Sequence, residues 1–159
     1  MKLKENPYFK APEVREVAKS LLNELTKEAK ICYLFVNKET KYLGKVKKTS
    51  FETKLITGYD YFLFIRFDYW DELASEKQKQ ALVFHELEHI DWKPSVADPE
   101  VGSWVLKKHD IEEFNSVIEK FGAWEGHLDI FKESEIIEKL KEKPDLKISK
   151  TNLKSCVNS

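Results

Sequence analysis

Cysteine is scarce in this chain of 159 residues: Cys32 and Cys156 are its only two, too few and too far apart for a disulfide framework or a paired zinc knuckle. Long apolar runs are missing as well. The longest, Tyr61 to Ile65, falls far short of the roughly 20 residues that span a bilayer, and the opening MKLKENPYFK has no apolar segment of the kind a signal peptide carries. The expected compartment is therefore the cytosol. Neither charge is in surplus: 27 Lys+Arg stand against 28 Asp+Glu, a formal net charge of -1. No global pull toward nucleic acid or anionic lipid follows, and any such binding has to be local.

Apolar material is ample, with 42% hydrophobic and 13% aromatic residues despite a mean hydropathy of -0.53, so the chain can bury a core. Its length fits one domain, expected over residues 1–144 and followed by a polar tail, 145–159. Val14, Val17, Leu21, Leu22 and Leu25 recur at helical spacing, predicting one buried helical stripe between Ala11 and Lys30 with Pro12 in its first turn. ICYLFV (31–36) reads as a strand. Lys38, Lys41, Lys45, Lys47 and Lys48, against the single acid Glu39 and with Gly44 among them, read as a solvated basic hairpin or loop. FETKLIT (51–57) and YFLFIRF (61–67), separated by Gly58-Tyr59-Asp60, are expected to form a strand pair.

Ser75 and Gln78 have the spacing of a capping box that opens a helix through ALVFHELEHI. Pro94 and Pro99 bound an irregular segment, and VGSWVL (101–106) follows as a strand or an extended connection. Further helices are expected from His109 to Phe121, stopped by Gly122, and over IFKESEIIEKLKEK.

The chemistry lies in His85-Glu86-Leu87-Glu88-His89, an HExxH pentad inside the segment already read as helical. Residues i and i+4 share a helix face, so both imidazoles can reach one metal ion, while the Glu86 carboxylate beside them can accept a proton from water on that metal. A catalytic zinc site takes three protein ligands and leaves a position open. Asp91, Glu112 and Glu113 are the nearest acidic candidates for the third, and His109 and His127 are the remaining histidines. His109 is favoured, because at a helix start it can point away from the apolar stripe. Glu113 and Glu112, one turn further on, can orient it by a hydrogen bond or replace it as ligand. Tyr59, Tyr61 and Arg66 are candidates for stabilising a transition state by their location ahead of the helix.

HELEHI followed by KHDIEEFNSVIEKFGAW resembles the phage metallopeptidase family, whose members pair an HELxH helix with a downstream HDxxEF helix that ends in an aromatic-Gly-x-Trp stretch. The likeness runs from about Tyr61 to Trp124. The resemblance implies an α+β, zincin-like fold with a small, mostly antiparallel sheet packed on helices that include the HExxH helix. It also implies one zinc ion on His85, His89 and His109, Glu86 as catalytic acid and base, a peptide or protein substrate, and the host cytosol as the place of action. In outline the chain is also similar to the SprT-type and ImmA/IrrE-type zincins, without the cysteine pairs of the former's zinc ribbon. A strand beside the metal helix would pair with extended substrate, and YFLFIRF is either that strand or the one beneath it.

An alternative from another class is a nucleic-acid or protein-binding regulatory module with a structural or vestigial metal site. Lys38 to Lys48 would then contact phosphates, with Tyr42 available for stacking. A third is a mobile-element regulator that cleaves a single protein after a trigger.

Overall fold

The computed structural model describes residues 1–108, together with Lys120 and Lys141. The helices expected over 109–121 and 130–143, the tail beyond Pro144, and His109, Glu112, Glu113 and His127 lie outside the described residues. Among the described residues no helix is long and apolar enough to cross a membrane.

Four strands form the main sheet: β1 (Tyr8–Lys10), β2 (Ile31–Val36), β3 (Gly44–Lys48) and β4 (Tyr61–Arg66), in the order β1-β2-β4-β3. β1 and β3 run antiparallel to their neighbours, while β2 and β4 pair in parallel at the centre, Ile31 opposite Tyr61 and Val36 opposite Arg66. A parallel pair needs a crossover, and here residues 37–60 supply it, holding both β3 and a short helix. The architecture is α+β, with small and mostly antiparallel sheets.

Helix α1 (Pro12–Lys19) begins with Pro12 in its first turn and buries Val14 and Ala18. It is shorter than the stripe over 11–30 predicts. Asn23 and Thr26 exchange backbone-to-side-chain hydrogen bonds, Asn23 N–H to Thr26 Oγ1 at 2.9 Å and Thr26 N–H to Asn23 Oδ1 at 2.8 Å. Such local bonding offers the backbone an alternative to the helix, and residues 20–30 form turns that still bury Leu21.

FETKLIT is a helix, α2 (Phe51–Thr57), not the strand expected. Ser50 caps its start by accepting from Thr53 N–H, and Gly58 ends it in the left-handed region at φ 78. Phe51, Leu55 and Ile56 have helical rather than alternating spacing, and all three are exposed. The lysine-rich stretch also departs from expectation, because its second half is the edge strand β3. Val46 is buried, while Lys45 and Lys47 on the other face stay in water, and edge lysines discourage pairing with other chains.

YFLFIRF is therefore the strand beneath the edge. β4 lies between β2 and β3, with Tyr61, Leu63 and Ile65 fully buried against α1 and helix α3 (Glu76–Glu88). After α3 the chain forms a hairpin of β5 (Ile90–Pro94) and β6 (Gly102–Leu106). VGSWVL is thus a strand from Gly102, paired with β5 across the irregular segment that Pro94 and Pro99 bound. The Tyr61 hydroxyl donates to the Val105 carbonyl at 2.7 Å, and Trp104 packs on both Tyr61 and Trp92, tying the hairpin to the sheet.

Between β4 and α3 a π-helical turn, Tyr69–Leu73, buries Tyr69 and Trp70. The Tyr69 hydroxyl is buried with no hydrogen-bond partner among the described residues, and burial pushes its phenol far above the usual tyrosine range. An unpartnered buried hydroxyl costs stability. Tyr69→Phe is expected to stabilise the fold by about 1 kcal/mol in urea unfolding, and a loss of comparable size would refute that account.

Candidate active site

α3 is built by local chemistry. Ser75 accepts from Gln78 N–H while the Gln78 side chain accepts from Ser75 N–H, a complete capping box. Ala81, Leu82, Val83 and Leu87 are buried, and they anchor the helix on the sheet. His85 and Glu86 occupy its last turn, and His89 is its C-cap, still in helical conformation at φ -70, ψ -18.

That conformation keeps the i, i+4 relation intact, so the His85 and His89 rings lie 5.2 Å apart between centroids. Both are half-buried, whereas Glu86 between them is only 4% exposed. The three open onto a cleft of about 660 Å³, walled also by Gly44 and Val46 of β3 and by Leu106 at the end of β6.

Two groups in this cleft have no counterpart in the sequence reading. The first is the Lys107 carbonyl, 2.8 Å from His89 Nδ1. A carbonyl only accepts, so Nδ1 carries the proton and Nε2 keeps its lone pair in the neutral ring. Lys107 N–H in turn donates to the His89 carbonyl at 2.7 Å, so the end of the β5–β6 hairpin clasps this residue from both sides. Nothing in the local sequence signals that pairing.

The second is Gly44. A Cβ built there would stand 2.7 Å from Glu86 Oε1 and 3.0 Å from its Cδ and Cγ. Only a residue without a side chain lets β3 approach the carboxylate so closely. A lone glycine amid lysines was the available signal.

Tyr61 and Arg66 do not line this cleft. Tyr61 is committed to the hairpin as described. Arg66, 3% exposed, donates from Nε and Nη2 to the Asp68 carboxylate and from Nη1 to the Thr40 carbonyl. Its backbone N–H donates to the Leu43 carbonyl, so Arg66 fixes the loop that delivers Gly44. Tyr59 lies on the far side of the sheet, its ring under Lys10 Nζ at 5.0 Å. Asp91 accepts from Trp92 N–H within β5.

Two imidazoles one turn apart, at least one with Nδ1 engaged by a backbone carbonyl, are nitrogen donors of the kind zinc takes. Among the described residues no group of three or more His, Cys, Asp or Glu is arranged to hold a metal. The third donor predicted from sequence, His109, lies outside the described residues, as do Glu112, Glu113 and His127. The two imidazoles present fit such a group in type and in their one-turn spacing.

No curated protein and no solved structure gives a match to this chain. A family model described as "Putative phage metallopeptidase" matches residues 6–144, from ahead of β1 through the pentad and the downstream HDIEEF segment. The chain, so matched over most of its length, belongs to the phage metallopeptidase family.

Proposed function

We propose that this protein is a zinc-dependent, zincin-like metallopeptidase with Glu86 as general base and acid, acting on peptide or protein substrates. The observation that carries the reading is the last turn of α3, where two imidazoles 5.2 Å apart flank a buried carboxylate at the floor of a cleft. His85, His89 and His109 would hold the ion, with Glu113 or Glu112 orienting His109 or replacing it, and His127 as the remaining alternative. Zinc in such a site supplies a Lewis acid that polarises a carbonyl and lowers the pKa of water toward neutrality.

The chain's own residues do the rest. Glu86 takes the proton of the attacking water and returns it to the leaving amine. The Lys107 carbonyl holds the His89 ring in the tautomer that offers Nε2. Among the described residues β3 is hydrogen-bonded to β4 alone, and its other edge would pair with an extended substrate drawn past Glu86. Tyr61 and Arg66 act at a distance as positioning residues, the first anchoring the hairpin that ends at Lys107, the second the loop that leads to Gly44.

Metal stoichiometry by mass spectrometry tests the assignment. About one zinc per parent chain is expected, lost in His85→Ala, His89→Ala and His109→Ala and retained in His127→Ala. A parent that neither carries zinc nor takes it up when offered would overturn the proposal.

A further inference from the structure

Strands β1 to β4 carry Lys10, Lys45, Lys47, Lys48 and Arg66 and not one Asp or Glu, although the chain as a whole has a formal net charge of -1. Strand register sorts the side chains by face. One face, with Val46, Leu63 and Ile65, packs against the helices and borders the His85 cleft. The opposite face is crossed by two rows, Lys45, Phe64, Leu34 and Lys10 in one and Lys47, Phe62 and Cys32 in the other.

Along that second face four rings form a continuous line. Tyr59 stands 6.3 Å from Phe62, Phe62 6.3 Å from Phe64, and Phe64 5.6 Å from Tyr8, between centroids. Tyr8 is 36% exposed and the other three are half-buried, so each ring is held in place yet reachable. Exposed lysines flank the line: Lys10 lies over Tyr59 and Lys38 over Tyr8, while Lys45 and Lys47 project from the edge strand. β1 covers only the second half of β2. Beside the uncovered half a cavity of about 600 Å³ continues the basic surface, sharing Lys10 and Tyr59 and adding Arg15 and Lys30. Neither Arg15 nor Lys30 makes an ion pair among the described residues.

We propose that this face binds single-stranded nucleic acid, with bases stacked on the Phe62 and Phe64 rings and phosphates against Lys10 and Lys38, which lie over the flanking Tyr59 and Tyr8 rings, and against Lys45 and Lys47. Stacking platforms bordered by cations are the general solution for unpaired strands, because every base has a π-face and every linkage a charge. A duplex keeps its bases inside and offers this surface phosphate alone. An acidic peptide satisfies the lysines and leaves the rings unused. The rings lie on the side of the sheet away from Glu86, with Lys45 of the edge strand bordering the His85 cleft as well, and the proposal does not depend on the peptidase assignment.

Fluorescence anisotropy of the full chain with labelled 20-mers of deoxythymidine and of uridine tests it. Both are expected to bind at low salt, with a log-log salt slope of about -3, the value for four phosphate contacts on a single strand. Lys45→Glu combined with Lys47→Glu should weaken binding about tenfold or more. Phe62→Leu and Phe64→Leu, which keep the apolar volume and remove the π-face, should each weaken it about fivefold or more, with circular dichroism unchanged. Glu86→Gln should bind as the parent does. Failure of both oligonucleotides to bind, or equal binding by the leucine variants, would overturn the proposal. Concentration-dependent dimerisation abolished by the leucine variants would also overturn it and assign the face to a second copy of the chain.

Discussion

Glu86→Gln is expected to lower kcat/KM on a cleaved peptide by about 10²- to 10⁴-fold, the usual contribution of a positioned general acid and base, while the chain still holds its metal. Glutamine keeps the shape and the burial of the side chain against Gly44 but cannot accept a proton. The expected signature is thus unchanged zinc content with turnover lost, measured by mass spectrometry beside a peptide-cleavage assay. Two results would contradict it. Full turnover in the variant would remove Glu86 from the chemistry, and loss of metal along with turnover would make Glu86 part of the binding site instead. A structural or vestigial metal site predicts indifference of every phenotype to this substitution.

Gly44→Ala is the second large effect, and it acts without touching a catalytic group. Its Cβ would lie 2.7 Å from Glu86 Oε1 and 3.0 Å from Cγ, closer than van der Waals contact permits, so the carboxylate has to move. A displacement approaching 1 Å at a reacting group costs on the order of 10²-fold in rate. The backbone of Gly44 needs no left-handed conformation, and alanine is easier than glycine to hold in a strand by roughly 0.5–1 kcal/mol. Thermal unfolding should therefore show a fold no less stable than the parent, with zinc retained and kcat reduced. A variant with parental kcat would mean that Glu86 shifts without consequence and that the close approach of β3 is not part of the site.

These two residues differ in how far they could be read from the chain. Glu86 stands in a pentad whose spacing, together with the Ser75–Gln78 capping box upstream, specifies a capped helix with two histidines on one side. Capping and i, i+4 geometry operate within one helical turn, so nearby residues suffice to establish them. Gly44 belongs to a stretch that local pattern assigns to a solvated loop. Its strand character comes from hydrogen bonds to β4, with Gly44 opposite Ile65, twenty-one residues on.

Misreading FETKLIT follows the same division. Phe51, Leu55 and Ile56 are as apolar as a strand requires, yet the helix buries none of its residues, and Ser50 and Gly58 carry the deciding signals at its ends. The lysines show the converse. Their excess between Lys38 and Lys48 is visible in the chain, but Tyr42, the neighbour in sequence, sits under Lys45 at 5.6 Å. The rings that line the basic face come instead from Tyr8, Tyr59, Phe62 and Phe64, brought together by pairing among strands far apart in sequence.

The amino-acid sequence by itself determined the helix that carries the pentad: its start at Ser75, its apolar anchors, and two imidazoles with a carboxylate on one turn. It determined the central apolar strand and the balance of charge as well. Only the tertiary structure decided that β3 would lie at an edge of the described sheet, that a glycine would lie against Glu86, and that a backbone carbonyl eighteen residues beyond His89 would set its tautomer. Spacing along a helix is a property of neighbours, whereas an edge, a close approach and a second sheet face exist only once distant segments have paired.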